Sequence, residues 1–283
     1  MAISDIEEAW MRPIDEQTVL VTGTTSGLGR HLVQRLAAAG AAVVAHGRDT
    51  ERLRRTRDQI REATGREVET VQADFADLTQ VHRLADEVLD RYPQLHALVN
   101  NAGVGFGPPG SGREVSADGI ELRFAVNHLA SYLLARRLAD RLVASAPARI
   151  VQVASAGQLA LDPDDPFTER GYDGVTAYRR SKLAQVMASF DLAADLVATG
   201  VSVNAVHPAT FMDTAMVREA GQAPSSSVEE GVDAVWWLLT DPDLDWVSGH
   251  YFEGTKPAQP DPQADDPAAR AWLRHLSDSF ISR

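Results

Sequence analysis

Short β-branched apolar runs recur along the chain at 18–21, 42–45, 69–72, 97–100, 149–153, 201–206 and 250–252, with helix-length stretches between most of them. This alternation leaves few folds open. Runs such as Ile150-Val151-Gln152-Val153 are apolar almost throughout, as strands are when both faces are buried, which places helices on either side of a parallel sheet. Apolar residues three and four apart predict helices over 27–39, 50–63, 79–91, 118–143, 177–198 and 228–239, with stop signals at Gly40, Gly65 and Gly200. The chain is read as α/β, a single doubly wound domain of about seven strands over 17–254. An extension (1–16) precedes it and a tail (255–283) follows. Residues 162–174 and 256–267 read as surface loops, and 209–227, which follow a strand end without clear periodicity, as a lid.

Charge and composition narrow the partners. With 27 basic against 40 acidic residues the net charge is −13, a field that repels nucleic acid. Asp5, Glu7, Glu8, Asp15 and Glu16 give the opening the wrong sign for a signal peptide, and no apolar run reaches the roughly 18 residues of a membrane span. A cytoplasmic protein is expected. There is no cysteine, which excludes thiolate metal sites and a cysteine nucleophile. No histidine pair has metal-ligand spacing, so no metal is expected, and His128 reads as a packing or surface residue.

Thr22-Gly23-Thr24-Thr25-Ser26-Gly27-Leu28-Gly29 directly follows the first strand and opens the first helix. Its glycines permit a tight turn and close backbone approach, and the helix N-terminus offers free amides to a pyrophosphate. A triphosphate-binding loop would need Gly and Lys where Leu28 and Gly29 stand. Tyr178 and Lys182 lie four apart on a predicted helix, hence on one face. The chain has 25 Arg and only two Lys, at 182 and 256, so a lysine here points to a need for a compact ammonium. Ser155 stands just past a strand's carboxyl end, where its hydroxyl can hold a substrate oxygen. A hydrolase elbow is excluded, because Val153 replaces the required glycine.

The TGxxxGxG spacing, Asn100-Asn101-Ala102-Gly103, Ser155 and Tyr178-Arg179-Arg180-Ser181-Lys182 together resemble the short-chain dehydrogenase/reductase family, over roughly 17–254. The resemblance implies a Rossmann fold and an NAD(P)-dependent oxidoreductase. Its catalytic set falls on Asn127, Ser155, Tyr178 and Lys182, with Asn127 implied to hold a water that links Lys182 to solvent. Tyr178 is the expected general acid/base. A free phenol titrates near ~10, and a general acid works best near ambient pH, so a neighbouring ammonium is expected to pull it down. Cofactor contacts are implied for Gly23, Thr25, Ser26, Gly27, Leu28, Gly29, Asp74, Phe75, Asn101, Ala102, Gly103, Tyr178, Lys182, Pro208 and Thr210. Where the family usually has Pro-Gly, the chain reads Pro208-Ala209, which leaves open whether Thr210 or Thr214 faces the nicotinamide.

Gly47 takes the place of the acid that would bind the ribose of NAD, and Arg48 suits the 2′-phosphate of NADP. NADP(H) is expected, with NAD(H) kept open by Asp49. The 23-residue interval from Ser155 to Tyr178 and the run Leu122-Arg123-Phe124-Ala125-Val126-Asn127-His128 resemble the retinol-dehydrogenase-like branch. That branch implies a ketoreductase or alcohol dehydrogenase acting on lipophilic ketones and secondary alcohols. Phe106, Phe211, Met212, Met216 and Trp272 are candidates to line its pocket, with the tail's short helix packed near the substrate site. The rivals are an NAD-dependent dehydrogenase of the same family and a non-catalytic dinucleotide-binding redox sensor. The family also implies a homo-oligomer, dimer or tetramer, joined through 118–143 and 177–198.

Overall fold

A computed structural model of the chain describes residues 11–281; all but the last part of the expected N-terminal extension lies outside them. The strands are β1 (Thr18–Val21), β2 (Ala42–Gly47), β3 (Glu69–Gln72), β4 (Ala97–Asn100), β5 (Ala148–Val153), β6 (Val201–His207), β7 (His250–Glu253) and β8 (Lys256–Pro257). They form one sheet in the order β3-β2-β1-β4-β5-β6-β7-β8, parallel from β3 to β7. The eighth strand, absent from the sequence reading, is a two-residue antiparallel addition to β7.

The helices are α1 (Gly27–Ala38), α2 (Thr50–Thr64), α3 (Leu78–Arg91), α4 (Ala130–Ala144), α5 (Gly174–Asp195), α6 (Ala215–Glu219), α7 (Val228–Thr240) and α8 (Pro267–Ile281). Pleating divides each strand between two cores. Val19 and Val21 of β1 join the cluster under α1 and α7, whereas Leu20 joins the one under α3, α4 and α5. This two-layered burial is why the central strands are apolar at most positions on both faces.

Helix starts follow their capping residues. Asp49, Asp77 and Asp173 cap α2, α3 and α5, and Ser227 with Glu230 forms a reciprocal capping box on α7. The helix expected from 118 begins only at 122, because Gly119 takes φ +76°. Its first part, Phe124–Leu129, is π-helical before α4 proper begins. Strand order reverses between β1 and β4, which opens a crevice at the carboxyl ends of the strands, where open α/β sheets take ligands.

Candidate active site

At the crevice the chain leaves β1 through Gly23, at φ +72°. A Cβ there would lie 2.7 Å from Ala102 Cα, and one on Gly29 would lie 2.3 Å from the Gly23 carbonyl oxygen, so only glycine allows these backbones to meet. Thr22 Oγ1 accepts from the amides of Asn101 and Ala102, both at 2.9 Å. Asn101 Nδ2 donates to the carbonyls of Thr22 and Gly23 at 2.8 and 3.1 Å. The Asn101 side chain thus staples the loop after β4 to the glycine-rich turn.

His46, which drew no attention in the sequence, supports the same turn from below. Its Nδ1 accepts from Gly23 N at 3.3 Å, its Nε2 donates to Ala73 O at 3.0 Å, and its ring stacks on Phe75 at 4.3 Å. Burial lowers its pKa to about 4, so the neutral tautomer with Nε2–H fits both bonds. Phe75 is therefore a core side chain. Asp74 is tied locally, its carboxylate accepting from Ala76 N at 3.0 Å.

Helices α2, α3, α5, α6 and α7 each begin with a side chain bonded to the first turn, but α1 begins after Ser26 with no such bond. Its first amides remain available to an anion. Together with the glycine cradle, this donor set fits a dinucleotide pyrophosphate.

Ser155 follows β5, and its Oγ accepts from Gly157 N at 3.0 Å. With α5 started by Asp173, Tyr178 and Lys182 fall one turn apart, facing that strand end. Lys182, 5% exposed, donates from Nζ to Val153 O at 2.8 Å and Gln185 Oε1 at 3.0 Å, and lies 5.9 Å from the centre of the Tyr178 ring. Asn127 sits in the π-helical turn, a geometry frequent at functional sites. Its Oδ1 accepts from Val104 N at 2.8 Å, and its Nδ2 donates to Val104 O at 3.1 Å and Ser181 Oγ at 2.9 Å. Gly103 lies between Asn127 and Lys182: a Cβ on it would be 3.1 Å from Asn127 Oδ1 and 3.7 Å from Lys182 Nζ. The four predicted residues therefore meet beside the glycine-rich turn.

Electrostatics differ from expectation. Burial raises the Tyr178 pKa, and a hydrogen bond with Ser155 opposes that rise. Burial also pushes Lys182 down to about 7. The ammonium expected to lower the phenol is itself destabilised by the same dry environment.

The segment after β6 lies across the crevice. Pro208 is buried, and Thr210 Oγ1 is taken by His207 Nε2 at 2.9 Å. Thr214 instead reaches the turn, its methyl 3.1 Å from where a Gly27 Cβ would be, and Met216 Cγ lies 2.6 Å from the corresponding point on Gly105. Phe106 meets Tyr178 edge-on at 4.6 Å, and Phe211 is exposed. Two proposed pocket residues are elsewhere. Met212 fills the space left by Gly231 against the α7 core, because glycine there leaves room for its thioether. Trp272 lies on the apolar face of α8 that packs on the α4–α5 core. The tail reaches the site through a different stretch: Asp261 N donates to Gln158 Oε1 at 2.9 Å, three residues beyond Ser155. His128 is buried and bonded to Ser277 Oγ at 2.8 Å.

Tyr251 is a further site neighbour that sequence reasoning missed, its hydroxyl donating to Ser155 O at 3.2 Å. Among the described residues no helix is long and apolar enough to cross a membrane.

The family model for short chain dehydrogenases matches residues 17–225. The chain belongs to that family. This dehydrogenase is 33% identical over 280 residues to human retinol dehydrogenase 13, covering 92% of this chain and 83% of the relative. It is 34% identical over 251 residues to a protein of Streptomyces sp. (strain C5) provisionally named a daunorubicin C-13 ketoreductase, covering 83% and 82%. The structure of the Pseudomonas aeruginosa RhlG/NADP active-site complex superposes with a TM-score of 0.70 at 25% identity, covering 86% of this chain and 97% of the other. This dehydrogenase is accordingly an NAD(P)-dependent oxidoreductase of the retinol-dehydrogenase-like branch.

Proposed function

We propose that this dehydrogenase reduces lipophilic ketones with NADPH, with Tyr178 as the proton donor. The observation that carries the reading is the meeting of Ser155, Tyr178 and Lys182 at the strand ends beside a glycine cradle whose helix amides are uncapped. When bound, the dinucleotide supplies the hydride. The chain does the rest. Gly23, Thr25, Ser26, Gly27, Leu28 and Gly29 line the pyrophosphate turn, with Ala102, Gly103 and Thr214 around the nicotinamide end. Ser155 holds the carbonyl oxygen and Tyr178 gives it the phenolic proton. The phenol, its pKa raised by burial against an opposing hydrogen bond from Ser155, carries at neutral pH the proton that the substrate oxygen receives. Lys182 holds its position on Val153 O and Gln185, and its ammonium stabilises the phenolate left behind. Phe106, Phe211 and Met216 supply the apolar wall.

Four features favour NADP(H) over NAD(H). A side chain at Gly47 would begin 2.7 Å from Thr25 Cγ2, which leaves no space for a ribose-binding acid. Asp49, the remaining acid, is committed to capping α2 through Arg52 N at 2.9 Å. Arg48 is exposed and, among the described residues, paired with no carboxylate. Arg52 adds a second guanidinium, 3.4 Å from Thr25 O. The complete set of four active-site residues argues against a non-catalytic sensor.

Fluorescence titration tests the cofactor reading. NADPH is expected to bind more tightly than NADH, and Arg48→Ser is expected to weaken NADPH at least about tenfold while sparing NADH, as the loss of one charge-assisted phosphate contact implies. Equal weakening of both would overturn it.

A further inference from the structure

Arg123 is 2% exposed and Glu121 is 1% exposed, a buried ion pair beside the active site that the proposed chemistry does not use. Burying such a pair is costly unless its hydrogen bonds are satisfied, so where those bonds go is informative. Glu121 Oε2 accepts from Phe124 N at 2.8 Å, and its Oε1 accepts from Arg123 Nη1 at 3.3 Å and from the Tyr172 hydroxyl at 3.1 Å. Arg123 Nη1 also donates to the Tyr172 hydroxyl at 2.6 Å. The rest of the guanidinium grips the loop after β4: Nε donates to Gly105 O at 2.9 Å and Nη2 to Phe106 O at 3.0 Å.

Asn127, four residues on, holds Val104 by both its amide and its carbonyl. Residues 104, 105 and 106 are thus held in succession from one stretch of helix. Two glycines mark how closely the loop is approached. A Cβ on Gly107 would lie 2.7 Å from Arg123 Nη2, and one on Gly174 would lie 2.2 Å from Phe106 O. The outcome of this clamp is that the Phe106 ring stands edge-on to Tyr178 at 4.6 Å.

We propose that Arg123 is a positioning residue that fixes Phe106 against Tyr178 and so sets the width of the cleft that admits the ketone. The inference rests on the ketone-reducing reading above. Through Tyr172 the same guanidinium ties the 162–174 loop to the site, so one side chain aligns both edges of the entrance. Lysine cannot replace it, because a point ammonium lacks the planar fork that reaches two carbonyls and a hydroxyl at once.

The test compares acetophenone with the wider benzophenone, following NADPH consumption by wild type, Phe106→Ala, Arg123→Lys and the double variant. Because Arg123→Lys can fail to fold, the charge-balanced Glu121→Gln/Arg123→Met pair is measured in parallel. Phe106→Ala is expected to lower the benzophenone-to-acetophenone KM ratio about tenfold, the scale of a pocket-shape change. Arg123→Lys is expected to lower it similarly, with acetophenone kcat and NADPH affinity kept, and the double variant to add nothing further. An unchanged ratio in Arg123→Lys, an additive double variant, or an equal loss of kcat for both ketones would overturn the proposal. If wild type reduces neither ketone, the activity reading fails by itself and hydrogen exchange decides the positioning claim. Faster exchange at amides 104–107 in Arg123→Lys, with 130–144 unchanged, supports it; unchanged exchange at 104–107 overturns it.

Discussion

Lys182 donates to two oxygens, yet burial still lowers its pKa to about 7. Unfolded, the same group titrates near ~10.4. Between those values the unfolded chain binds the extra proton, so this lysine makes stability rise as pH rises from about 7 toward about 10. Urea denaturation at pH 7 and pH 9.5 checks this: wild type is expected to gain of order 1–3 kcal/mol over Lys182→Met across that interval. A constant difference would mean the ammonium is not destabilised by burial. At this scale the sequence was informative where chemistry is local. The four-residue spacing of Tyr178 and Lys182 is a property of one helix, and the absence of an acid at Gly47 is a property of one strand end. Arg123, His46 and Tyr251 were invisible because each works through a partner distant in the chain, at Phe106, Ala73 and Ser155.

Among the elements, α8 changes the reading most. Its Ser277 and Asp278 bond to His128 and Tyr132 on the α4 side at 2.8 Å each, and Arg270 pairs with Asp191 on α5 at 2.9 Å. Trp272, Leu276 and Phe280 pack on the same core. The apolar spacing of 118–143 and 177–198 correctly shows outer faces in need of cover, but periodicity alone does not say whether a second subunit or the chain's own tail supplies it. Here α8 packs on part of both. Sedimentation velocity at micromolar protein tests the dimer or tetramer that the family implies: an oligomer whose cross-links map to α4 and α5 is expected, and a sharp monomer boundary would contradict it. Boundaries were less legible than existence. Gly119 delayed one helix start, and Asp173 advanced another to Gly174.

For the whole molecule, the strand alternation carried most of the information, since burial on both sheet faces makes β1, β4 and β5 apolar at most of their positions. Topology then follows from few rules, and the reversal between β1 and β4 locates the crevice. What the sequence withheld was the assembly around that crevice: α6 reaching Gly27 and Gly105, Phe106 against Tyr178, and Met212 and Trp272 drawn into other contacts. These depend on loops whose course is set by tertiary contacts rather than periodicity. The central claim, that this crevice reduces a ketone by proton donation from Tyr178, is tested most directly by Tyr178→Phe. NADPH consumption with acetophenone is measured beside NADPH affinity on the same preparation. The account predicts affinity like wild type and a rate lower by about 10²–10⁴-fold, the usual contribution of a positioned general acid. Turnover retained in Tyr178→Phe, with NADPH bound as in wild type, would contradict it.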